Sequence, residues 1–338
     1  MADYKSKAKK RIKRKVKNKI RKSPIIISII LILALIAVGL YFFGEEIGIN
    51  PFGKQDSTSP DTPTAPTVST PKPNAEEIYF HFIDVGQGDA ILVTSKAGNM
   101  IIDSGDLDPE SQKALSDYLT EQGITSFKYA VFTHPDADHI GSADIIVNNY
   151  DVETVIMPHF PKTTQVYKRL ISAIESREVE LVLIGQNKEL CEQEGYTFRL
   201  GSLVNTVMAP TETFKSANEM SVVVKSTYGS IDVLLTGDAE EQSEEAMLKK
   251  YLRGELDCEI LKVGHHGSRS STTEKFLDAV SPDVAIISCG EGNSYGHPHK
   301  ETLDKLEENS IPIYRTDLLG SVVIKINGKT FEIVDVAE

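Results

Sequence analysis

The chain has 338 residues, of which 36 are Lys or Arg and 49 are Asp or Glu, giving a formal net charge of −13. Residues 1–22 carry +11 and the remainder carries −24, which excludes an evenly charged globular protein. Hydrophobic residues make up 40% of the chain, so its bulk is not disordered. The three cysteines are too few and scattered for a disulfide framework or a CxxC zinc site, and we expect them to be small buried hydrophobes.

Residues 23–43 contain no charge, and their 19-residue apolar stretch would span roughly 28 Å as a helix, about the thickness of the hydrocarbon core of a bilayer. The stretch is longer than the apolar region of a cleaved signal peptide, the alternative, which has about 7–15 residues. We therefore expect a single-pass membrane anchor, with the basic tail of residues 1–22 cytoplasmic and the rest of the chain extracytoplasmic. Contact with anionic lipid is preferred over nucleic-acid binding for the tail. Residues 44–75 include a run rich in Ser, Thr and Pro and are expected to form an unfolded linker.

From Glu76 to Glu338, short β patterns alternate with helical patterns. The predicted strands are 78–84, 90–95, 100–103, 127–133, 154–158, 221–226, 231–236, 259–263 and 283–288. The predicted helices are 109–121, one that opens near 139, 163–175, 240–252, 272–280 and 300–308, followed by a hairpin that turns at Asn327-Gly328. Two successive blocks of strands followed by helices predict a layered α/β domain with two sheets sandwiched between helices.

The strongest chemical signal is the sequence THPDADH at residues 133–139, where a predicted strand ends and a helix begins. It places two imidazoles and two carboxylates close together, and His and Asp are usual ligands of divalent metals. A solvated turn with helix-capping aspartates is the simpler alternative. That alternative accounts for one aspartate but not for the two histidines.

Three more predicted strand ends carry polar motifs, TGD at 236–238, HHGS at 265–268 and GHPH at 296–299. Six of the eight histidines thus lie just beyond strand ends, where open α/β sheets place their sites. Together the motifs predict one metal centre with neighbouring substrate contacts, although GHPH could also be a structural turn. Lys262 is expected to face solvent and is left out of the site, and His159 is expected at the surface.

The set H-x-D-x-D-H, T-G-D and H-H-G-S resembles the metallo-β-lactamase fold hydrolases. The stretch FIDVGQGDA at 82–90 and the pair His265-His266 more narrowly resemble the extracytoplasmic hydrolase domain of the ComEC family of DNA-uptake competence proteins. The resemblance covers nearly all of residues 76–338. It implies a four-layered αβ/βα sandwich with metals at the strand edges.

The resemblance also implies a set of metal ligands. These are His134, Asp136, Asp138, His139, Asp238 and His265. Asp238 corresponds to an aspartate that bridges two metals, and His265 is favoured over His266 because it lies nearer the strand end. Asp103 corresponds to an aspartate that supports the first ligand motif through hydrogen bonds.

Two departures from the family pattern affect the expected metals. The family has His where Asp136 stands, and a further His before the strand that leads to TGD, whereas residues 217–221 contain none. One metal position therefore keeps a full ligand set, and the other is thinner and richer in oxygen. We expect one or two divalent ions, Mn²⁺ or Zn²⁺, with Mg²⁺ also compatible.

The implied mechanism is hydrolysis by a metal-activated water. Asp238 would bridge the metals, and Asp138 would also orient the nucleophile. Four residues are candidates to bind a phosphoryl oxygen or to protonate the leaving group, namely His266, Ser268, His297 and His299. The turn GQGD at 86–89 is open to two interpretations, a substrate loop or a tight β-turn.

We therefore expect a metal-dependent hydrolase, and the resemblance favours a phosphodiesterase, including a nuclease that acts on DNA. A metallo-hydrolase of a lactone, β-lactam or non-nucleic phosphoester is one alternative, and a non-catalytic surface binding protein is another. The complete ligand set disfavours the binding protein. From Glu76 onward there are 22 basic and 44 acidic residues and no basic run. Because counterion release from a basic surface usually drives nucleic-acid binding, this charge disfavours a nuclease.

Overall fold

The computed structural model describes residues 76–185, 195–252 and 254–336. The predicted basic tail, membrane anchor and linker lie outside these residues. No helix within the described ranges is long and apolar enough to cross a membrane.

The described residues contain two β-sheets. In chain order, the strands are β1 Ile78–Phe82, β2 Ile91–Ser95, β3 Gly98–Ile102, β4 Ser126–Val131, β5 Asp151–Pro158, β6 Glu180–Ile184, β7 Thr197–Leu200, β8 Leu203–Ala209, β9 Val223–Tyr228, β10 Ile231–Leu235, β11 Ile260–Lys262, β12 Val284–Ile287, β13 Ile313–Arg315, β14 Val322–Ile326 and β15 Phe331–Val336. The first sheet has the order β15-β14-β1-β2-β3-β4-β5-β6, and the second has the order β13-β12-β11-β10-β9-β8-β7.

Helices follow many of the strands. They are α1 Pro109–Glu121, α2 Ala137–Ile140, α3 Ala143–Asn149, α4 Gln165–Ser176, α5 Glu241–Lys250, α6 Glu274–Val280, α7 Lys300–Glu308 and α8 Thr316–Leu319, with 3₁₀ turns at Asn218–Met220 and Gly264–Gly267. Each predicted strand and helix corresponds to one of these elements, and the closing hairpin is present. The strands β6, β7, β8 and β13 and the helices α3 and α8 were not predicted.

The alternation of side chains along the strands builds the layers. Phe80 and Phe82 lie in the core between the two sheets, whereas His81 between them faces Tyr118 of α1, 2.9 Å from His81 Nδ1 to Tyr118 Oη. A second core lies between the first sheet and α1, α3 and α4, and a third between the second sheet and α5, α6 and α7. Cys258 and Cys289 are buried in this third core, as expected. The predicted αβ/βα sandwich is therefore confirmed.

Parallel strands in both sheets end at the edge where the polar motifs lie. Strands β3 to β6 run parallel in the first sheet, and β10 to β13 run parallel in the second. The two edges are joined directly, because the Val222 amide donates to the Thr133 carbonyl at 2.8 Å. Gly237 packs so closely on Thr133 that a Cβ there would lie 2.8 Å from the Thr133 Cβ. Gly237 also has a φ of +51°, so both its space and its backbone angle favour glycine.

A buried carboxyl group supports the loop that carries the His pair. Glu244 of α5 accepts from the amides of Thr272 and Thr273 at 2.5 and 2.8 Å. Thr272 has a φ of +52°, an unfavourable angle for a β-branched residue, and its hydroxyl accepts from the Gly264 amide at 3.3 Å. Burial raises the pKa of Glu244 to about 7, so this group couples the support of the loop to pH.

Glu244→Gln should change how stability depends on pH. The pKa of Glu244 rises from 4.5 in the unfolded chain to about 7 in the fold. The contribution of Glu244 to the free energy of unfolding is therefore fully present below pH 4.5, where the carboxyl is protonated in both states. It is lost as the pH rises to about 7, because the unfolded chain ionises first. At 1.36 kcal/mol per pKa unit, the loss is about 3 kcal/mol.

The measurement is the free energy of unfolding in urea from pH 4.5 to 8 for both proteins. The stability of the wild type relative to Glu244→Gln should fall by about 3 kcal/mol across this range. Glu245→Gln, a more exposed position on the same helix, is the matched control and should follow the wild-type profile. A pH-independent difference between Glu244→Gln and the wild type would contradict the assignment.

Candidate metal centre

Four loops, each following a strand of one of the two sheets, converge at the shared edge. Asp103 follows β3, and residues 133–139 follow β4 in the first sheet. Asp238 follows β10, and His265-His266 follows β11 in the second. Each side chain is therefore placed by the end of a strand buried in the core, which fixes its position closely.

Four of these side chains form a compact group. One atom each from Asp138, His139, Asp238 and His266 lies within 4.8 Å of all the others. Asp238 Oδ1 lies 3.2 Å from His139 Nε2 and 3.6 Å from His266 Nε2, and Asp138 Oδ2 lies 3.4 Å from His266 Nε2. Two carboxylates and two imidazoles thus face one point.

The second oxygen of Asp238 faces another pair of imidazoles. Asp238 Oδ2 lies 3.6 Å from His265 Nε2 and 3.9 Å from His134 Nε2. Asp136 Oδ2 is 3.8 Å from His134 Nε2, while its other oxygen forms an ion pair with Lys162. This second set is more open than the first, and Asp238 lies between the two.

The structure differs from the sequence-based choice between the two adjacent histidines. It places His266, rather than His265, beside Asp138 and His139. Both histidines have left-handed backbone angles, with φ of +48° and +51°. Two consecutive residues in this unusual conformation direct neighbouring rings to different oxygens of Asp238.

Three of the imidazoles are held by partners at Nδ1, which leaves Nε2 directed at Asp238. His139 Nδ1 is 2.8 Å from Asp103 Oδ2, and Asp103 also accepts from the Thr133 amide at 2.7 Å. His265 Nδ1 is 2.9 Å from Glu240 Oε1, and His266 Nδ1 is 3.0 Å from the Ser288 carbonyl. Partners of this kind orient metal-binding histidines and fix which nitrogen binds.

A buried ion pair lies behind His266 and corrects the expectation for Lys262. Lys262 is completely buried instead of facing solvent, and its Nζ is 2.9 Å from Asp89 Oδ2. The other oxygen of Asp89 is 3.3 Å from His266 Nδ1. Burial would raise the pKa of Asp89, but Lys262 and His266 outweigh it and lower the pKa to about 2. Lys262 therefore belongs to the surroundings of the centre.

Electrostatics divides the histidines into two kinds. Burial, followed by the neighbouring His139, lowers the pKa of His134 to about 4. Burial acts in the same direction on His139 and His266, but the carboxylate of Asp238, assisted by Asp103 and Asp89 respectively, raises both of their pKa values. The pKa of Asp238 is held well below its usual range, because His139 and His266 outweigh the effect of burial.

The buried atoms at this point fit a divalent cation. Four atoms are buried and have no hydrogen-bond partner among the residues that the structure describes, namely His134 Nε2, His139 Nε2, His266 Nε2 and Asp238 Oδ1. A buried polar atom without a partner costs about 1–3 kcal/mol. Nitrogen and carboxylate oxygen donors are suitable ligands for Zn²⁺ and Mn²⁺. The donor set therefore fits the metal that the sequence predicts.

The remaining predicted residues differ in their distance from the centre. A cavity of about 140 Å³ opens onto it. The lining residues are Gln87, Asp136, Asp138, Asn218, Asp238, His265, His266, Tyr295 and His297. Among the described residues, Ser268 and His299 do not line this cavity. The Ser268 hydroxyl contacts that of Ser270 at 2.8 Å, and His299 Nδ1 accepts from the Arg269 amide at 3.0 Å.

The GQGD turn contacts both the cavity and the ligand loop. Gly88 has a φ of +131°, and a Cβ there would lie 2.4 Å from the Asp138 carbonyl oxygen. The Asp89 amide donates to the same carbonyl at 3.1 Å. The second glycine is thus required by a close approach of two backbones, while Gln87 lines the cavity.

His159 is exposed, as expected.

Sequence reasoning missed three contributors, Glu240, Lys162 and Lys262. Glu240 lies two residues beyond Asp238, and this short spacing from TGD was an available signal. Lys162 and Lys262 reach acidic partners that are distant in sequence. No local pattern identifies such pairs.

Residues 83–165 and 211–291 match the family model described as Metallo-beta-lactamase superfamily. The chain is 30% identical over 257 residues to ComE operon protein 3 of Bacillus subtilis, covering 71% of this chain and 32% of that protein. It is also 30% identical over 254 residues to Recombination protein 2 of Haemophilus influenzae, covering 74% and 29%. The chain thus spans about a third of the length of these curated relatives. Among solved structures, metallo-β-lactamase SMB-1 bound to 2-mercaptoethanesulfonate has 14% identity and a TM-score of 0.36, covering 60% of this chain and 83% of that one.

Lys262→Met should destabilise the protein strongly, because it leaves Asp89 as a buried carboxylate without its cation. Removing one partner of a buried ion pair costs about 3–5 kcal/mol. The double variant Lys262→Met/Asp89→Asn lacks both charges and should recover much of this loss. The free energies of unfolding of the wild type, both single variants and the double variant form a double-mutant cycle. A Lys262→Met protein within about 0.5 kcal/mol of the wild type, the usual range of surface substitutions, would contradict the pairing.

Proposed function

Because this chain carries a metallo-β-lactamase superfamily domain with a metal-dependent hydrolase fold, we propose that it is a phosphodiesterase that acts on nucleic acid. The observation that carries the proposal is the convergence of His139, His266 and Asp138 on Asp238 Oδ1. The resemblance of the motifs to the ComEC family of DNA-uptake competence proteins directs the choice of substrate towards DNA. The chain covers only about a third of ComE operon protein 3 and Recombination protein 2, so the activity of these relatives is a proposal here.

Residues of this chain would divide the chemistry between them. His139, His266, Asp138 and Asp238 would hold a divalent cation, which when bound lowers the pKa of a water and polarises the substrate oxygen. Asp138, whose side chain is 25% exposed in the cavity, is placed to orient the attacking water. Burial lowers the pKa of His297 to about 4, so His297 is neutral near pH 7 and is better suited to hydrogen-bond a phosphoryl oxygen than to act as an acid.

We further propose that residues 23–43 anchor the chain in a membrane, with the hydrolase domain on the extracytoplasmic side. The support is the uncharged apolar stretch and the +11 charge of residues 1–22. The stretch lies outside the residues that the structure describes. Membrane fractionation and protease accessibility of the intact chain test both parts of this proposal.

The two sets of imidazoles around Asp238 support two cation positions of unequal strength. The compact position holds Asp138, His139 and His266, and the open one holds His134, Asp136 and His265. Competition from Lys162 for Asp136 weakens the open position. Each position thus combines two imidazoles with two carboxylates, a donor set that suits Mn²⁺ or Zn²⁺.

His266→Gln and His265→Gln should separate the two positions. His266→Gln removes a donor of the compact position and should weaken the tight Mn²⁺ ion by more than about 100-fold, beyond the effect of losing an outer-shell partner. His265→Gln should retain the tight ion and lose the weaker one. Calorimetric titration and elemental analysis of the dialysed proteins measure both. Equal loss of the tight ion in the two variants would contradict the division.

Hydrolysis is tested with Mn²⁺-, Zn²⁺- and Mg²⁺-loaded full-length protein. The substrates are single-stranded DNA, bis-p-nitrophenyl phosphate and a chromogenic cephalosporin. Asp138→Ala should reduce phosphodiester turnover by at least about 100-fold, because it removes both a cation donor and the group that orients water. Asp144→Ala is the control, since Asp144 pairs with Arg169 on neighbouring helices.

The acidic character of residues 76–338, with a net charge of −22, favours a second candidate, a hydrolase of a non-nucleic ester. Turnover of bis-p-nitrophenyl phosphate without DNA cleavage would support this candidate. Cleavage of the cephalosporin alone would exclude a phosphodiesterase. Failure of every loaded metal to bind at stoichiometric level would overturn the centre itself.

A further inference from the structure

Tyr295 forms part of the rim of the cavity beside the metal centre. Its side chain is 64% exposed although it lines the same cavity as Asp138, Asp238 and His266. Within the described ranges, it is the one aromatic residue among the exposed large hydrophobic side chains. The rim therefore presents a flat ring to solvent immediately next to the proposed reaction centre.

The Tyr295 ring is held from below by a row of imidazoles. It stacks on His297 with 5.7 Å between ring centroids and 19° between the planes. His297 is nearly buried, and its ring meets His265 edge-on at 5.3 Å. One face of the tyrosine is thus covered by His297, and the other is available to a ligand.

The loop that carries Tyr295 is fixed by hydrogen bonds. The Asn293 side chain donates to the carbonyls of Gly290 and His297, at 2.9 and 2.6 Å, and accepts from the His297 amide at 3.0 Å. The Gly290 amide donates to Gln87 Oε1 at 3.2 Å, which ties the loop to another residue that lines the cavity. The ring is therefore preorganised, which lowers the entropy cost of stacking.

Tyr295 and the proposed reaction centre share one small cavity of about 140 Å³. Asp138, Asp238 and His266 line its inner part, and the exposed Tyr295 ring lies at its border. A phosphodiester bound at the centre would therefore bring a neighbouring base next to this ring.

The charge of the domain makes such a contact valuable. With −22 on residues 76–338 and no basic run, counterion release contributes little to binding a polyanion. Affinity must then come from the cation centre and from contacts that do not depend on charge. Stacking on an aromatic ring is such a contact, and it tolerates any base.

We infer that Tyr295 is a stacking platform for an unpaired nucleobase adjacent to the scissile phosphodiester. Since a base within a duplex is already stacked on both faces, the ligand class is single-stranded nucleic acid. This inference rests on the proposed phosphodiesterase function and adds a base-binding position to it.

The kinetic test compares Tyr295→Ala, Tyr295→Phe and the control Leu252→Ala in the full-length, Mn²⁺-loaded protein. Leu252 is 77% exposed and lines a different cavity. For a single-stranded oligonucleotide, Tyr295→Ala should raise KM about tenfold, within the range known for base stacking, with kcat nearly unchanged. Tyr295→Phe and Leu252→Ala should behave as the wild type. For an oligomer of abasic sugar phosphates, all four proteins should share one KM.

A second test does not depend on turnover. The chain contains no tryptophan, so Tyr295→Trp introduces a single indole. A single-stranded phosphorothioate oligonucleotide, which is hydrolysed slowly, should quench the fluorescence of this indole, and the abasic oligomer should not. A fully paired hairpin should quench it at least about tenfold less effectively at equal concentration.

The outcomes separate the two proposals. Quenching by the base-bearing strand without turnover of any phosphodiester would retain the platform and overturn the proposed hydrolysis. Turnover in which Tyr295→Ala raises KM equally for base-bearing and abasic strands would retain the hydrolysis and overturn the platform. Equal quenching by single strand and hairpin would also overturn it.

Discussion

The carboxylate of Asp238 is the constraint on which the site depends. It is buried, and its two oxygens face four imidazole nitrogens contributed by both sheets. Nitrogen lone pairs and carboxylate oxygens cannot satisfy one another without protons or a cation between them. The close packing of Gly237 on Thr133 and the hydrogen bond from Val222 to Thr133 hold the two sheet edges in this arrangement. The fold thus brings together lone-pair oxygen and nitrogen atoms that protons or a bound cation must stabilise.

Much of the fold was predictable because its signals are local. Strands β3, β4, β10 and β12 contain apolar runs that are followed within three residues by Gly, Asp or His. Helix α1 begins with an Asp-Pro signal, and Asp108 caps it. The missed strands had weaker signals. Strand β13 has three residues, and β7 and β8 flank a two-residue turn at Gly201 that was not assigned. Alternating side chains along the strands build the four layers. Phe80 and Phe82 lie in the core between the two sheets, whereas His81 faces helix α1.

The position of the site was predictable from its motifs, but the choice between adjacent side chains depends on backbone conformation. THPDADH and TGD located the cluster, because Asp138, His139 and Asp238 come from these two motifs. The choice between His265 and His266 could not follow from spacing, because two consecutive left-handed residues reverse the expectation from the strand end. Lys262 lies at the buried end of strand β11, and its partner Asp89 lies in the loop that precedes β2 of the other sheet. A local sequence pattern does not predict an ion pair between residues that are so distant in the chain.

The division of the donor set between the two sheets has a consequence for folding. His139 and Asp238 are separated by about a hundred residues of chain, and a cation held between them closes a loop of that length. In the unfolded chain these side chains are far apart, and bringing them together costs a loop-closure entropy that grows slowly with loop length. The cation would therefore be a removable cross-link between two halves of the domain. Its free concentration would set how firmly the sandwich is closed, by mass action on the native state.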